Sequence, residues 1–360
     1  MTNENYLQYL LGTVEGYSLK YKKHLKKSLE EAGIAQIDPQ FTMQNLTVDC
    51  VDVSELEITQ QIATCLREAP QAIKLYETWE FIKDYKYSSI FETDDFDQLI
   101  QAAENIITLE TSAENEHEHI FKHLDAPLRL EKDNIVLIKF GLNFSAIHPL
   151  TEDEKLLKYP VIIALHRMQQ LVEVRFDALK RIFIPDDQDQ TIYADLIDDV
   201  RFYIESEFGC TLHSLDLNFM VKQDGEAKLI AQYTKLPSGG NAQLEVGNNT
   251  DYILPILGEL KALLSKNAAE LEKAPALKEA LTQFIFENVE LSEYSWIEVR
   301  WEEEIKSRSI SIKIIFNYRN NNYGLVQHYY NALVGMERMN HVIRYINEHR
   351  GIAQAVVLNE

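Results

Sequence analysis

Tyr6, Leu10, Val14, Tyr17, Tyr21, Leu25 and Ser28 follow one another at steps of three and four. They draw a single stripe, which predicts one long helix over residues 4–32. Gly12 and Gly16 weaken that helix, and Gly33 is placed to end it. "NLTVDCVDV", at 45–53, alternates as a strand does. Ser54 and Glu57 then have the spacing of a capping box, which opens a helix running to about Arg67. A helical period returns from Ile73 to Ile82. Asp94 or Asp95 opens a further helix, with Leu99, Ile100, Ala103, Ile106 and Ile107 as its buried side.

From about residue 131 the pattern changes. "NIVLIKFGLNFSAI", "YPVIIALH" and "QLVEVRFDAL" are rich in β-branched and aromatic residues and read as strands. A helix follows from about Thr191 to Glu207. "LDLNFMVKQ" and "EAKLIAQY" flank Asp224-Gly225, a favoured two-residue turn, and read as a hairpin. "LPSGGNAQ" and "GNNT" read as loops. A helix pair is expected at about 252–272 and 276–289, with Pro275 at the start of the second, where a missing N–H is harmless. Ile297, Val299 and Trp301 share one side of a strand, and Ile310, Ile312, Ile314 and Phe316 one side of the next. After "RNNNYG" come a third strand to about Tyr330 and a helix over about 333–349.

This order defines an α+β protein. It has a helix-rich N-terminal module (1–130), a central mixed or antiparallel sheet (131–250), and a C-terminal helix pair with a three-stranded sheet and closing helix (251–360). Strands followed by a helix occur near 135–207 and again near 295–349, which hints at a duplicated unit. No residue-level repeat accompanies it.

Charge adds an asymmetry. The chain carries a formal net charge of −22. Residues 40–130 hold eighteen acidic side chains against six basic ones, and residues 305–350 hold seven basic against two acidic. Such an acidic total argues against non-specific adhesion to nucleic acid or anionic membrane, without excluding a local basic site. Cys50, Cys65 and Cys210 are few, odd in number and widely spaced, so they read as inert thiols in a reducing cytosol. "MTNENYLQYLLGTVEG" lacks the basic stretch of a secretory signal, and no apolar run is long enough to span a membrane. A cytoplasmic location is expected. The many Ile, Asn, Lys and Tyr residues suggest a bacterial or phage origin.

Candidate chemistry is sparse. His117, His119 and His123 form the densest cluster of metal-capable side chains. On a helix His119 and His123 would share a face, but His117 points about 200° away, and the zinc-protease pattern H-E-x-x-H is absent. No metal site is expected there. Asp216 with Glu226-x-Lys228 resembles a nuclease constellation, but a tight Asp224-Gly225 turn would hold Asp216 roughly 24 Å from Glu226. "PDDQDQ" lacks a calcium-loop order, and "PSGGN" lacks a phosphate-binding one. No catalytic signature and no cofactor is implied.

Two islands remain. Lys20, Lys22, Lys23, Lys26 and Lys27 flank the first stripe, where their stems can cover apolar surface, pair with the acidic 40–130 region of this chain or another copy, or meet phosphate. Tyr318, Arg319, Tyr323, His328, Arg338 and Arg344 lie in a segment crowded with Tyr, Arg and Asn, a mixture suited to a protein interface or stacked bases. The expectation is a non-catalytic interaction subunit of a cytoplasmic assembly, docking through that C-terminal segment. The partner is a protein or a second copy, with no membrane involved. The alternatives are a metal-dependent hydrolase or nuclease with scattered ligands, and a nucleic-acid binder using the basic islands.

Overall fold

The first apolar stripe folds as two helices, α1 (Asn3–Gly16) and α2 (Leu19–Glu31), rather than one. Ser18 is extended between them, and its hydroxyl accepts from Tyr21 N at 3.3 Å. That cap starts a new helix where Gly16 ends the old one. Gly33, at φ 70°, closes α2. This computed structural model describes residues 3–36, 50–109, 127–188, 190–222, 226–235, 241–245, 260, 263–290, 293–302, 309–329 and 335–357. The chain divides into two units, Met1–His213 and Ser214–Glu360. The architecture is α+β, built on antiparallel sheet.

Unit 1 continues with β1 (Ala35–Gln36) and β2 (Val51–Asp52), a short parallel pair. Then come α3 (Ile58–Glu68), α4 (Pro70–Ile82), β3 (Tyr87–Thr93), α5 (Phe96–Ala103), β4 (Leu128–Lys132), β5 (Ile135–Ile147), β6 (Glu154–His166), β7 (Leu171–Phe176) and α6 (Ile192–Phe208). The expected capping box does not form. Ser54 donates its N–H and its hydroxyl to Asp52 Oδ1, at 3.1 and 2.8 Å, so this segment is a turn and α3 starts four residues later. Asp95 does cap α5, accepting from Gln98 N at 2.8 Å. That helix ends at Ala103, which leaves Ile107 exposed rather than buried. Strand β3, "YSSIFET", is short and carries two serines, and the sequence pattern does not predict it.

The unit 1 sheet runs β3-β7-β6-β5-β4, with every neighbour antiparallel. Register sorts its side chains onto two faces. One carries Phe91, Ile138, Phe140, Val161, Ile163, Val172, Val174 and Phe176, all buried. Helix α6 covers it, with the Tyr203 ring 5.0 Å from Phe140 and the Tyr193 ring 5.5 Å from Phe176. The other face carries Lys139, Lys158, His166, Glu173 and Arg175 among apolar neighbours, under α1 and α4.

Strands β5 and β6 pair along their full 13-residue lengths. β4 accompanies β5 only as far as Lys139, and β7 accompanies β6 only from Ile162, so the rest is a two-stranded arm. Helix α1 lies against that arm. Lys158 N donates to Thr13 Oγ1 at 2.8 Å. At Gly12 an added Cβ would sit 2.2 Å from the Leu156 carbonyl oxygen.

Unit 2 begins within β8 (Leu212–Ser214). It contains β9 (Ala227–Lys235), β10 (Asn241–Glu245), α7 (Ala268–Leu271), α8 (Pro275–Glu290), β11 (Glu293–Trp301), β12 (Ile310–Ile315), β13 (Leu325–His328) and α9 (Glu337–Val357). Its strands lie in the order β10-β9-β11-β12-β13, all antiparallel. The expected hairpin strand before Asp224-Gly225 is instead a 3-10 segment, Asn218–Lys222. Asp216 accepts from Asn218 N at 2.8 Å and so bends the chain there. Asn241–Gln243, read as loop, belong to β10. The inward side of β11 and β12 is as expected: Ile297, Val299, Trp301, Ile310, Ile312 and Ile314 are buried, with Tyr345 of α9 edge-on to Trp301 at 5.1 Å.

The Gly12 approach generates a prediction. Alanine is normally the better helix former by about 1 kcal/mol. Here its methyl meets backbone, which no rotamer change can relieve, and overpacking costs about 1–3 kcal/mol. Gly12→Ala should therefore lower the thermal midpoint. Gly16→Ala, which meets only the mobile end of Lys180 at 3.3 Å, should not. Equal behaviour of the two variants would contradict the contact.

Candidate functional site: a charged core beneath the N-terminal helices

Helix α4 starts with Pro70 in its first turn and buries Ala72, Tyr76, Trp79 and Phe81. Glu77 and Glu80, three apart, share the same sealed surroundings, at 2% and 0% exposure. Two lysines rise to meet them from the sheet. Lys139 of β5 and Lys158 of β6 are 2% and 0% exposed. Lys158 Nζ donates to Glu80 Oε2 at 2.6 Å and to Glu77 Oε1. Lys139 Nζ donates to Glu80 Oε2 at 3.1 Å, to the Glu77 carbonyl at 2.9 Å and to Glu77 Oε2. Tyr6 of α1 donates its hydroxyl to Glu77 Oε1, and Tyr85 donates to the Glu80 carbonyl at 2.5 Å. Two cations and two anions thus neutralise one another out of contact with water.

The network continues outward. Lys83 Nζ pairs with Asp177 and lies 3.6 Å from the centre of the Tyr85 ring. Tyr17 and Tyr76 join their hydroxyls at 2.9 Å. On the same sheet face, Arg175 Nη2 donates to Glu173 Oε2 at 2.6 Å, and His166 Nε2 lies 3.1 Å from that oxygen.

Burial governs the acid–base behaviour. It pushes the hydroxyls of Tyr17, Tyr76 and Tyr85 well above the usual tyrosine range, and the negative charge of Glu80 adds to this. Burial also lowers Lys139, against the pull of Glu77. For Lys158 burial again opposes the charge, but Glu77 and Glu80 outweigh it and raise the group. Burial lowers His166, so it sits neutral beside Glu173. A lowered lysine amine is the chemistry of a nucleophile or a base, but these groups are sealed from solvent. A surface cleft of about 390 Å³ lies elsewhere, lined by Gln98, Gln101, Ala102, Glu104 and Asn105, and includes none of them.

None of these charges was marked as a candidate site from sequence. The available signal was Lys139 inside "IVLIKF", Lys158 before "YPVII", and Glu173 and Arg175 inside "LVEVRF". A charge within an apolar strand run must find a partner when the strand is covered on both faces.

The sequence-derived candidates fall out as follows. Lys20 pairs at 3.4 Å with Asp84, which lies in the acidic 40–130 region. Lys22 donates to Thr59 Oγ1 at 2.9 Å and to the Glu15 carbonyl at 3.0 Å, and burial lowers it. Lys23 and Lys27 are exposed and Lys26 is half-buried. In unit 2, Tyr323, His328 and Arg338 are 1%, 0% and 0% exposed, and Tyr318 is also buried. They cannot form a docking surface. His328 faces the core because it pairs with Ile312, and Arg338 Nη1 donates to the Tyr329 carbonyl at 2.5 Å. Arg319 and Arg344 are exposed, on different elements.

His117, His119 and His123, and the Asp224-Gly225 turn, lie outside the described residues. Asp216 and Glu226 are exposed, and Lys228 Nζ pairs with Glu302 at 2.6 Å on the surface. Among the described residues no three His, Cys, Asp or Glu side chains converge as a metal site requires, and no helix is long and apolar enough to cross a membrane. Cys50, Cys65 and Cys210 are free thiols, and burial pushes Cys65 up to about 11. Comparison with protein-family models, with curated proteins and with solved structures finds no match.

Two predictions test this core. Lys158→Met leaves Glu77 and Glu80 short of one cation, and breaking a buried pair costs about 3–5 kcal/mol. Adding Glu80→Gln restores neutrality and should recover part of that loss in urea denaturation. Strictly additive losses would mean that the charges do not interact. The second concerns pH. His166 is lowered in the folded state, so the unfolded chain binds more protons between its folded value and about 6.5. Stability should fall as pH drops below about 6.5, and His166→Gln should flatten that slope.

Proposed function

We propose that this chain is a non-catalytic interaction subunit of a cytoplasmic macromolecular assembly, with unit 2 supplying the docking surface. The observation that carries this reading is the sealed, self-neutralised state of its densest ionisable cluster. Groups with perturbed acid–base behaviour mark a catalytic centre when they line a cleft. These are packed between helix and sheet, which is the environment of a structural network.

The docking surface in unit 2 combines Arg319 with the half-buried side of its sheet. Register puts Trp296, Glu298, Arg300, Lys313 and Gln327 on one side, opposite the Ile297 and Ile312 core. Tyr233 stacks on Trp296 at 6.3 Å, and Lys313 Nζ lies 3.4 Å from the centre of the Trp296 ring. Aromatic residues with arginine are the composition enriched at protein interfaces.

Crosslinking with the wild type and with Arg319→Glu as baits tests this. The position is exposed, so the change should cost about half a kcal/mol or less. A partner protein held by the wild type and lost by the variant is the expected result. Identical partner sets would put the docking surface elsewhere. Metal-dependent hydrolysis by the purified chain would overturn the non-catalytic reading. Salt-sensitive affinity for DNA or RNA would replace the protein partner with nucleic acid.

A further inference from the structure

We infer that two copies of this chain associate through reciprocal contacts between the tip of the β5–β6 arm and the outward face of α2. The arm ends in two of the exposed large apolar residues of unit 1, Ile147 at 61% and Leu150 at 88% exposure. Isolated exposed apolar residues need no explanation. These two, however, sit on a fixed turn. His148 Nδ1 accepts from Thr151 N at 3.2 Å, Glu152 N donates to the His148 carbonyl at 2.9 Å, and His148 N donates to the Asp153 carbonyl at 2.9 Å. A knob held in place loses little freedom when it docks. Three exposed carboxylates follow it directly, Glu152, Asp153 and Glu154.

Helix α2 presents the complement. It buries Tyr21, Leu25 and Leu29. Positions 19, 23, 26 and 27 lie on the opposite side. They put Leu19, 58% exposed, beside Lys23, Lys26 and Lys27. Lys20 and Lys22 are turned away to Asp84 and Thr59. One patch is therefore apolar with three carboxylates, and the other apolar with three ammonium groups, of which Lys27 also touches the exposed Glu31 at 3.4 Å. Both are open on the same unit, so each can find its match on another molecule. A two-fold axis makes both contacts at once. The net charge of −22 opposes the approach of two copies. At about 0.15 M salt the screening length is about 8 Å, so remote repulsion fades while touching pairs persist.

Sedimentation velocity of the full chain at about 0.15 M salt decides the matter. The wild type should show a concentration-dependent dimer. Glu152→Lys/Asp153→Lys/Glu154→Lys should lose it, as should Lys23→Glu/Lys26→Glu/Lys27→Glu. Mixing these two variants should restore association, because each supplies the charge that the other now needs. Leu150→Asp should lose the dimer with every charged partner intact. The substituted side chains are exposed except Lys26, which is half-buried, and circular dichroism checks that each variant folds. A wild type that stays monomeric overturns the inference. So does a dimer that survives both reversals, or a mixture that fails to reassociate. The contacts lie wholly in unit 1, so these results are independent of the docking role proposed for unit 2.

Discussion

The pairing of Glu77 and Glu80 with Lys139 and Lys158 constrains everything around it in unit 1. Moving an ion into the interior costs several kcal/mol, and only a partner at hydrogen-bonding distance offsets this. The lysines come from neighbouring strands, at positions fixed by the β5–β6 register. The glutamates come from one helix and must reach both amines. If α4 rotated by one residue, its carboxylates would swing away and leave two cations unmatched. Apolar packing alone tolerates such slippage, because one hydrophobic contact substitutes for another at small cost. The charged core therefore selects a single seating of α4 on the sheet. It also holds α1, through the Tyr6 hydroxyl on Glu77 and the Thr13 bond to Lys158 N.

The two faces of that sheet solve different problems. Beneath α6, Phe140, Val161, Val174 and Phe176 form a continuous apolar layer that gains stability without directional demands. Beneath α1 and α4, burial is just as complete but every charge needs geometry. Gly12 serves the second face. It lets α1 approach Leu156 closely enough for Thr13 to bond the β6 backbone beside Lys158. A glycine that weakens a helix by propensity is kept because the close contact requires it.

What could be read from the sequence follows the range of the forces involved. Strands β5, β6, β7, β11 and β12, and helices α4, α5 and α6, announce themselves through local period. Several differences lie where a short side chain bonds the nearby backbone: Ser18, Asp52 and Asp216 each redirect the chain by local hydrogen bonding. The charged core was legible only in part. Lys139 and Lys158 stand out within apolar runs, but their partners lie about sixty to eighty residues away on a helix read as amphipathic. Part of the C-terminal signal has a local backbone origin. Asn317, Arg319 and Asn320 all have positive φ, at 45°, 54° and 64°. Asparagine tolerates that conformation best among non-glycine residues, so the Asn-rich stretch is in large part the chemistry of a turn.

One consequence joins the core to the surface. The buried charged side chains among the described residues are Glu77, Glu80, Asp84 and Glu173 against Lys83, Lys139, Lys158, Arg175 and Arg338, close to balance. The acidic excess of the described residues therefore lies on the outside. In such a field a compact basic patch is conspicuous, since it is where an approaching acidic group is least repelled. Charge complementarity of this kind directs encounter and orientation more than it adds affinity. Both the dimer contact inferred for the lysines of α2 and the docking proposed near Arg319 rest on that physical argument.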